Sequence, residues 1–279
     1  MAAKKRPIGA HVPVGGGLVK KGLAEADAIG AEVIQIFIGS PRGWALPRVE
    51  ASLAERFRNE CAERKLPVYV HASYLLNLAS PDKDALQKSV EHLRAALVES
   101  AKLGAVGVVV HAGSSKDGDR DAALRRIGPA YRAVLDNAPD SVRLLVEPTA
   151  GASNAMAHTF ETTAEYLDAV GIREVGLCLD TCHLHAAGEP LADAKALAAS
   201  LKTLTDDIGP GRIGLVHYND SRDPQGSRRD RHATLGEGLL GDRGLRAAAR
   251  TPLLKDIPLV TETDTREHDV AYAKKLARG

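Results

Sequence analysis

The sequence is short of the features that mark several protein classes. Its three cysteines (Cys61, Cys178, Cys182) are odd in number and too few for a disulfide framework, so a reduced, cytoplasmic setting is expected. No apolar run approaches the roughly 20 residues that span a bilayer, which argues against a membrane partner. The start, MAAKKRP, is basic with no apolar segment behind it. Residues 1–6 therefore read as a flexible tail and not as a signal peptide. Neither sign of charge dominates: the net charge is +1, so a nucleic-acid partner would have to be met by locally gathered basic residues. Linkers, low-complexity blocks and composition shifts are missing, so residues 1–279 read as one domain. No long exposed apolar stripe stands out, and a monomer is the default.

What the chain does have is a series of short apolar runs that end on metal-binding side chains. They are VYV-His71, GVVV-His111, RLLV-Glu147, GLCL-Asp180 with His183 three residues on, IGLV-His217 and PLVT-Glu262. Asp230 and His232 add a further pair in a polar loop. Imidazole and carboxylate are ligands that zinc-like divalent metals accept. Five histidines and four carboxylates suffice for more than one ion.

Short β-branched runs occur at 8–12, 33–38, 67–71, 106–111, 142–147, 175–180, 212–217 and 257–262, with helical stretches between them. In 84–103, Leu86, Val90, Leu93 and Leu97 recur at spacings that give one apolar face. Leu124, Ile127, Tyr131 and Val134 do the same in 121–135. Thr162-x-x-Glu165 reads as a capping box for a helix that stops at Gly171. The last interval holds only a weak helix near 242–250. Near-continuous apolar strands imply a parallel sheet buried on both faces. Eight βα units predict a single (β/α)8 TIM barrel with its active site at the C-terminal face of the strands. In a barrel, strand ends far apart in sequence open into one bowl.

Other residues take plainer readings. A lone histidine at a strand end is usually a hydrogen-bonded core residue; the joint pattern is what favours ligation. His92 and His268 read as surface residues of helices, His158 and His185 as loop residues. His11 is expected to hydrogen-bond near the site without ligating. Cys178 and Cys182 lack CxxC spacing and read as small packed side chains, and Gly15-Gly16-Gly17 as a tight turn. The segment SRDPQGSRRDRH surrounds Asp230 and His232 with four arginines, which suits a polyanionic substrate. GSPRGW carries Arg42 and Trp44, and Tyr74 follows His71 by three; these suit stacking at a distorted nucleic-acid step.

These segments together resemble the endonuclease IV family, the metal-dependent apurinic/apyrimidinic (AP) endonucleases of DNA base-excision repair. The matching stretches are GAHVPVGGGL, VHASYLLNLASP, VVHAGS, VEPTAG, CLDTCHLHAAG, HYNDSRDPQGSRRDRHATLGEG and TETD, in the family's order. The resemblance implies three Zn²⁺, with Mn²⁺ as a substitute. It places His71, His111 and Glu147 on one ion. Glu147 bridges to a second ion held by Asp180, His217 and Glu262, while His183, Asp230 and His232 hold the third. Glu147 and Glu262 are the expected catalytic carboxylates, Glu262 orienting the attacking water. The implied partner is double-stranded DNA with abasic sites or blocked 3′ ends, met by Arg42, Trp44, Tyr74, Asn219 and Arg231. The implied reaction is cleavage 5′ to the abasic site together with cleaning of 3′ ends, in a cytoplasmic protein that is nucleoid-associated when acting. Pro148 and Ala72 stand where the family usually has Asn and Asp, and GSPRGW matches the family loop only in part. The alternatives are a metal-dependent sugar isomerase or epimerase on the same architecture, and a non-catalytic DNA-damage binder.

Overall fold

Eight parallel strands close a barrel in the computed structural model, which describes residues 6–278. In chain order the strands are β1 (Ile8–His11), β2 (Ile34–Ile36), β3 (Val68–His71), β4 (Gly107–His111), β5 (Arg143–Glu147), β6 (Gly176–Asp180) and β7 (Ile213–His217). A two-stranded antiparallel ribbon follows, β8 (Asp220–Ser221) with β9 (His232–Ala233), and then β10 (Leu259–Thr261). Each barrel strand pairs with its sequence neighbour, and β10 lies between β7 and β1, so no edge is left open. All eight barrel strands fall inside the runs expected from sequence. The ribbon was not expected.

Helices cover the outside: α1 (Ala24–Ala28), α2 (Ala51–Arg64), α3 (Lys83–Lys102), α4 (Arg120–Leu135), α5 (Phe160–Val170), α6 (Thr181–Ala187), α7 (Ala194–Ile208), α8 (Gly241–Arg250) and α9 (Arg266–Arg278). Local chemistry sets their ends. Asp82 and Asp119 cap α3 and α4, each accepting from a backbone N–H three residues on. The apolar stripes of both helices turn inward, with Val90, Leu93, Leu97, Ile127, Tyr131 and Val134 buried. Capping of α5 departs from the sequence reading. The box is Thr159 with Thr162, not Thr162 with Glu165, because the helix starts three residues earlier. It does stop at Gly171, whose φ of 65° suits a residue without Cβ.

Three more expectations need correction. Arg6, assigned to the tail, is buried and donates from Nη1 to the Ala249 carbonyl (2.7 Å); the remaining tail positions lie outside the described residues. His92 is buried, because it shares the inward face of α3 with Ser89, Leu93 and Ala96. His185 lies in α6, not in a loop, and is also buried. Among the described residues no helix is long and apolar enough to cross a membrane.

Strand parity positions the site. Alternate residues point into the barrel. Val33, Tyr69, Val109, Leu145, Cys178, Leu215 and Val260 form a separate apolar cluster there. Two residues further along the same strands come Gln35, His71, His111, Glu147, Asp180, His217 and Glu262. The polar ring therefore sits directly above an apolar plug, at the C-terminal mouth.

Candidate metal centre

The structure brings all nine sequence-predicted ligand residues together. His71, His111 and Glu147 offer donor atoms within 4.8 Å of one another, and so do Glu147, Asp180, His217 and Glu262, and His183, Asp230 and His232. Glu147 belongs to both of the first two groups. Its Oε1 lies 3.0 Å from His217 Nδ1 and 3.2 Å from His183 Nδ1, and its Oε2 lies 3.2 Å from His71 Nε2 and 3.6 Å from His111 Nε2. His232 Nε2 stands between Asp230 Oδ1 (3.2 Å) and Asp180 Oδ2 (3.6 Å).

Strand ends deliver His71, His111, Glu147, Asp180 and His217. Glu262 follows the end of β10, His183 lies in the first turn of α6, and Asp230 and His232 come from the β8–β9 segment. Asp180 also caps α6, accepting from the His183 N–H (2.8 Å), and this fixes His183 beside it. The ribbon β8–β9 folds the 220–233 segment back so that Asp230 and His232 reach the mouth.

Ring orientation is set from behind. His71 donates from Nδ1 to the Ala72 carbonyl (2.7 Å), leaving Nε2 toward Glu147. His183 Nδ1 has the Pro148 carbonyl at 3.0 Å. Both partners are backbone oxygens, so neither contact depends on the side chains of Ala72 and Pro148. His217 is held through Nε2 by Gln35 Oε1 (2.8 Å). The Gln35 amide nitrogen donates to Glu262 Oε1 (2.7 Å), which fixes which end of the amide faces which partner. The same nitrogen lies 3.1 Å from His11 Nδ1, so that ring nitrogen accepts and His11 stays neutral. Burial depresses the His11 pKa in the same sense.

Asn219 was expected to touch DNA, and the structure contradicts this. It is fully buried (0% exposed), donates to Asp180 Oδ2 (2.8 Å) and Glu262 Oε2 (3.0 Å), and accepts from the Glu262 N–H (3.0 Å). Its task is to clamp two carboxylates. Gln35 was missed altogether, although it shares strand parity with the ligand histidines. Arg42, Trp44 (41% exposed), Tyr74 (44% exposed) and Arg231 do lie on the surface. Ser73 donates from Oγ to the Pro41 and Gly43 carbonyls and so pins the Arg42–Trp44 loop to the mouth. Tyr74 stacks on His111 with ring centroids 5.4 Å apart. Arg231 is engaged bidentately by the buried Asp223. The mouth encloses about 540 Å³ between Arg42, Tyr74 and the ligand side chains.

The electrostatics suit cations. Burial pushes the Glu147 carboxyl up, but His217 and His111 beside it prevail and hold it well below its ordinary range. For His183 and His217 burial favours the neutral ring, yet neighbouring acidic groups win and raise both well above the usual histidine value. His232 is raised in the same way. His111 is the exception: burial lowers it to about 4. Ligand nitrogens His183 Nε2 and His232 Nε2 are buried without a hydrogen bond, although Asp230 oxygens lie near both. Buried, unpaired donor atoms facing several carboxylates are what a divalent metal site requires, so the residues fit. Cys178 and Cys182 also reach ligand range, but burial pushes both thiols to about 12, which supports their reading as packed side chains.

Comparison with known proteins accords with this geometry. Residues 23–278 match the AP endonuclease 2 family model, described as a xylose isomerase-like TIM barrel. The probable endonuclease 4 of Streptomyces avermitilis is 39% identical, covering 99% of this chain and 91% of that protein. The crystal structure of endonuclease IV from Thermus thermophilus superposes with a TM-score of 0.83 at 32% identity, covering 98% of this chain and 97% of that one. A D-tagatose 3-epimerase-like protein reaches a TM-score of 0.70 at 18% identity over 96% of this chain and 95% of its own, a likeness of fold alone.

Proposed function

The chain belongs to the endonuclease IV family of metal-dependent nucleases, and on that premise we propose that it hydrolyses the phosphodiester 5′ to an abasic site in duplex DNA. The observation that carries this reading is the set of three adjacent donor groups, two of which share Glu147. In this reading His71, His111 and Glu147 would hold one Zn²⁺, Glu147 with Asp180, His217 and Glu262 would hold a second, and His183, Asp230 and His232 would hold a third. Mn²⁺ is a chemically reasonable substitute, since the donors are imidazole and carboxylate only. When bound, such ions supply a nucleophilic water at neutral pH and positive charge for the phosphate.

The protein's own groups do the rest. Glu262, gripped by Gln35 and Asn219, has a fixed carboxylate with which to orient the attacking water. No further protein base is needed. Arg42, Trp44 and Tyr74 rim the mouth, where they suit a distorted duplex step. Arg222, Arg228, Arg229 and Arg231 are exposed on the loop beside the third group and suit the phosphate backbone. An abasic nucleotide has no base to stack, so extruding it into the mouth costs less than extruding an intact one. Removal of blocking groups from 3′ ends follows from the same phosphoryl chemistry. The sugar-epimerase alternative rests on fold likeness alone and is set aside.

Metal analysis of the zinc-saturated chain, paired with incision of a tetrahydrofuran-containing duplex with and without chelator, tests the proposal. The expected result is more than two equivalents of metal and cleavage that the chelator abolishes. One equivalent or fewer would sink the three-ion reading; duplex binding without incision would favour the non-catalytic binder.

A further inference from the structure

The opposite face of the barrel carries a second cleft that the reaction at the metal centre does not use. It encloses about 830 Å³ between the loops that lead into β5, β6 and β7, at the N-terminal ends of those strands. Cavities of roughly 300–1,000 Å³ are the size that takes small ligands. Three arginines line it: Arg143, Arg173 and Arg212.

Their guanidinium groups are positioned by the fold and outnumber the two carboxylates, Asp140 and Glu174, that also line the cleft. Arg212 donates to the carbonyls of Val175 (2.7 Å) and Ile172 (3.1 Å) and is largely buried. Arg143 donates from Nε to the Glu174 carbonyl (3.2 Å) and from Nη1 to the Gly211 carbonyl (2.9 Å). A Cβ at Gly176 would stand 2.8 Å from the Arg143 guanidinium carbon, so glycine there makes room for it. Among the described residues, no carboxylate lies within ion-pair distance of any of the three. Arg143 Nη2 and the whole Arg173 guanidinium have no hydrogen-bond partner among those residues. The like charges act on one another: burial lowers the Arg212 pKa first, Arg143 and Arg173 lower it further, and Glu174 offsets only part of this.

Cations held by carbonyls against mutual repulsion form a receptor for an anion. Guanidinium forks match phosphate oxygens bidentately. The remaining walls are largely apolar, Leu135, Ile172 and Pro210 among them. We propose that this cleft binds a phosphomonoester carried on an apolar or planar body, of about the size of a mononucleotide, at a site separate from the metal centre. Arg143 and Arg173 would take the phosphate, and Leu135, Ile172 and Pro210 the body.

The test is equilibrium dialysis of the zinc-loaded full chain against labelled deoxyadenosine 5′-monophosphate at about 0.15 M chloride, where loose surface pairing is largely screened. Phosphate can also meet the metal centre, so the difference between variants is the readout. Wild type should bind one equivalent more than Arg173→Gln. Arg173 is exposed, so folding should survive its loss, and abasic-duplex incision and metal content should stay as in wild type. Arg143→Lys should retain weakened binding. Inorganic phosphate should displace the extra equivalent, and deoxyadenosine should not. Equal equivalents in wild type and Arg173→Gln would overturn the proposal. So would displacement by deoxyadenosine as readily as by phosphate, or binding that vanishes at this salt concentration.

Discussion

Two rings of side chains, one above the other inside the barrel, come from the same strands two residues apart. The lower ring has Val33, Tyr69, Val109, Leu145, Cys178, Leu215 and Val260; the upper has Gln35, His71, His111, Glu147, Asp180, His217 and Glu262. Most of both rings is hidden from solvent. The lower ring is a close-packed apolar plug that contributes stability. Without metal, the upper ring, Gln35 apart, is a group of acids and imidazoles that share protons. Burial by itself therefore says little about what a residue is for; the chemistry placed at that depth decides it. A fixed strand scaffold lets a site occupy one layer while the layer beneath it holds the fold.

The sharpest way to break this contrast is to mutate one residue in each ring on the same strand. Glu147→Gln keeps shape but removes the charge that two donor groups share. Turnover on an abasic duplex should fall at least ~10³-fold, as when one member of a catalytic unit is lost, and bound metal should fall with it. Leu145→Ala should do the reverse. It opens a cavity in the plug and should cost about 2–5 kcal/mol of stability, read from denaturant unfolding, with metal content and turnover per folded molecule retained. If Leu145→Ala emptied the metals from protein that is still folded, the two rings would not be separable.

A second difference lies in pH. In the metal-free protein His183, His217 and His232 have folded pKa values raised above the ordinary 6.5. Their stabilising contribution is complete below 6.5 and is lost as pH rises through the raised values. His111, lowered to about 4, acts oppositely: its contribution is present above 6.5 and is lost as pH falls toward 4. Metal-free protein should thus be most stable near pH 6.5. The metal-loaded protein should keep gaining on it above that pH, because metal binding displaces protons. Melting temperatures at several pH values, with and without chelator, check this; a metal-free protein that keeps stabilising up to about pH 8 would contradict the proton-sharing ring.

Much of this was legible in the sequence, and for definite reasons. Apolar runs that stop on His or acid signal a strand end, and barrel closure gathers strand ends without further information. That is why the six donors at strand ends stand out, whereas His183, Asp230 and His232 are legible only as metal-type residues in the segments beside them. Misreadings arose where position along an element did not reveal direction. Asn219 follows the end of β7 and looked like a substrate contact, yet its backbone path turns it inward onto Asp180 and Glu262. His92 lies beside the Val90–Leu93–Leu97 stripe of α3, and the buried face is wider than that stripe. Gln35 carries a usable signal, the same strand parity as the ligands, but its amide is not a metal-ligand type and does not stand out. Nothing in residues 220–233 announced a ribbon two residues wide.

Removing the clamps should have a smaller effect than removing a ligand. Asn219→Ala frees Asp180 and Glu262 and leaves the Glu262 N–H without its acceptor. Gln35→Leu frees His217 and Glu262 together. Each should cost about 10–100-fold in metal affinity or turnover, the range found when the partners of metal ligands are changed. Metal titration with a competing chelator measures the first, and steady-state incision the second. A loss as deep as that of Glu147→Gln would mean the clamps touch the chemistry directly.

The smallest effect should come from outside both rings. Trp44 is exposed on a loop that Ser73 pins to the mouth, so Trp44→Ala should change stability by no more than about 0.5 kcal/mol. Metal content should be unchanged. If the indole stacks on a disturbed duplex step, its loss should cost about 1 kcal/mol, the low end for base–aromatic stacking, seen as a roughly fivefold rise in KM with kcat retained. The same variant acting on a short single-stranded abasic oligonucleotide should behave as wild type, since no duplex step is there to fill. An unchanged KM on the duplex would remove Trp44 from the DNA-contacting set and leave Arg42 and Tyr74 to hold the rim.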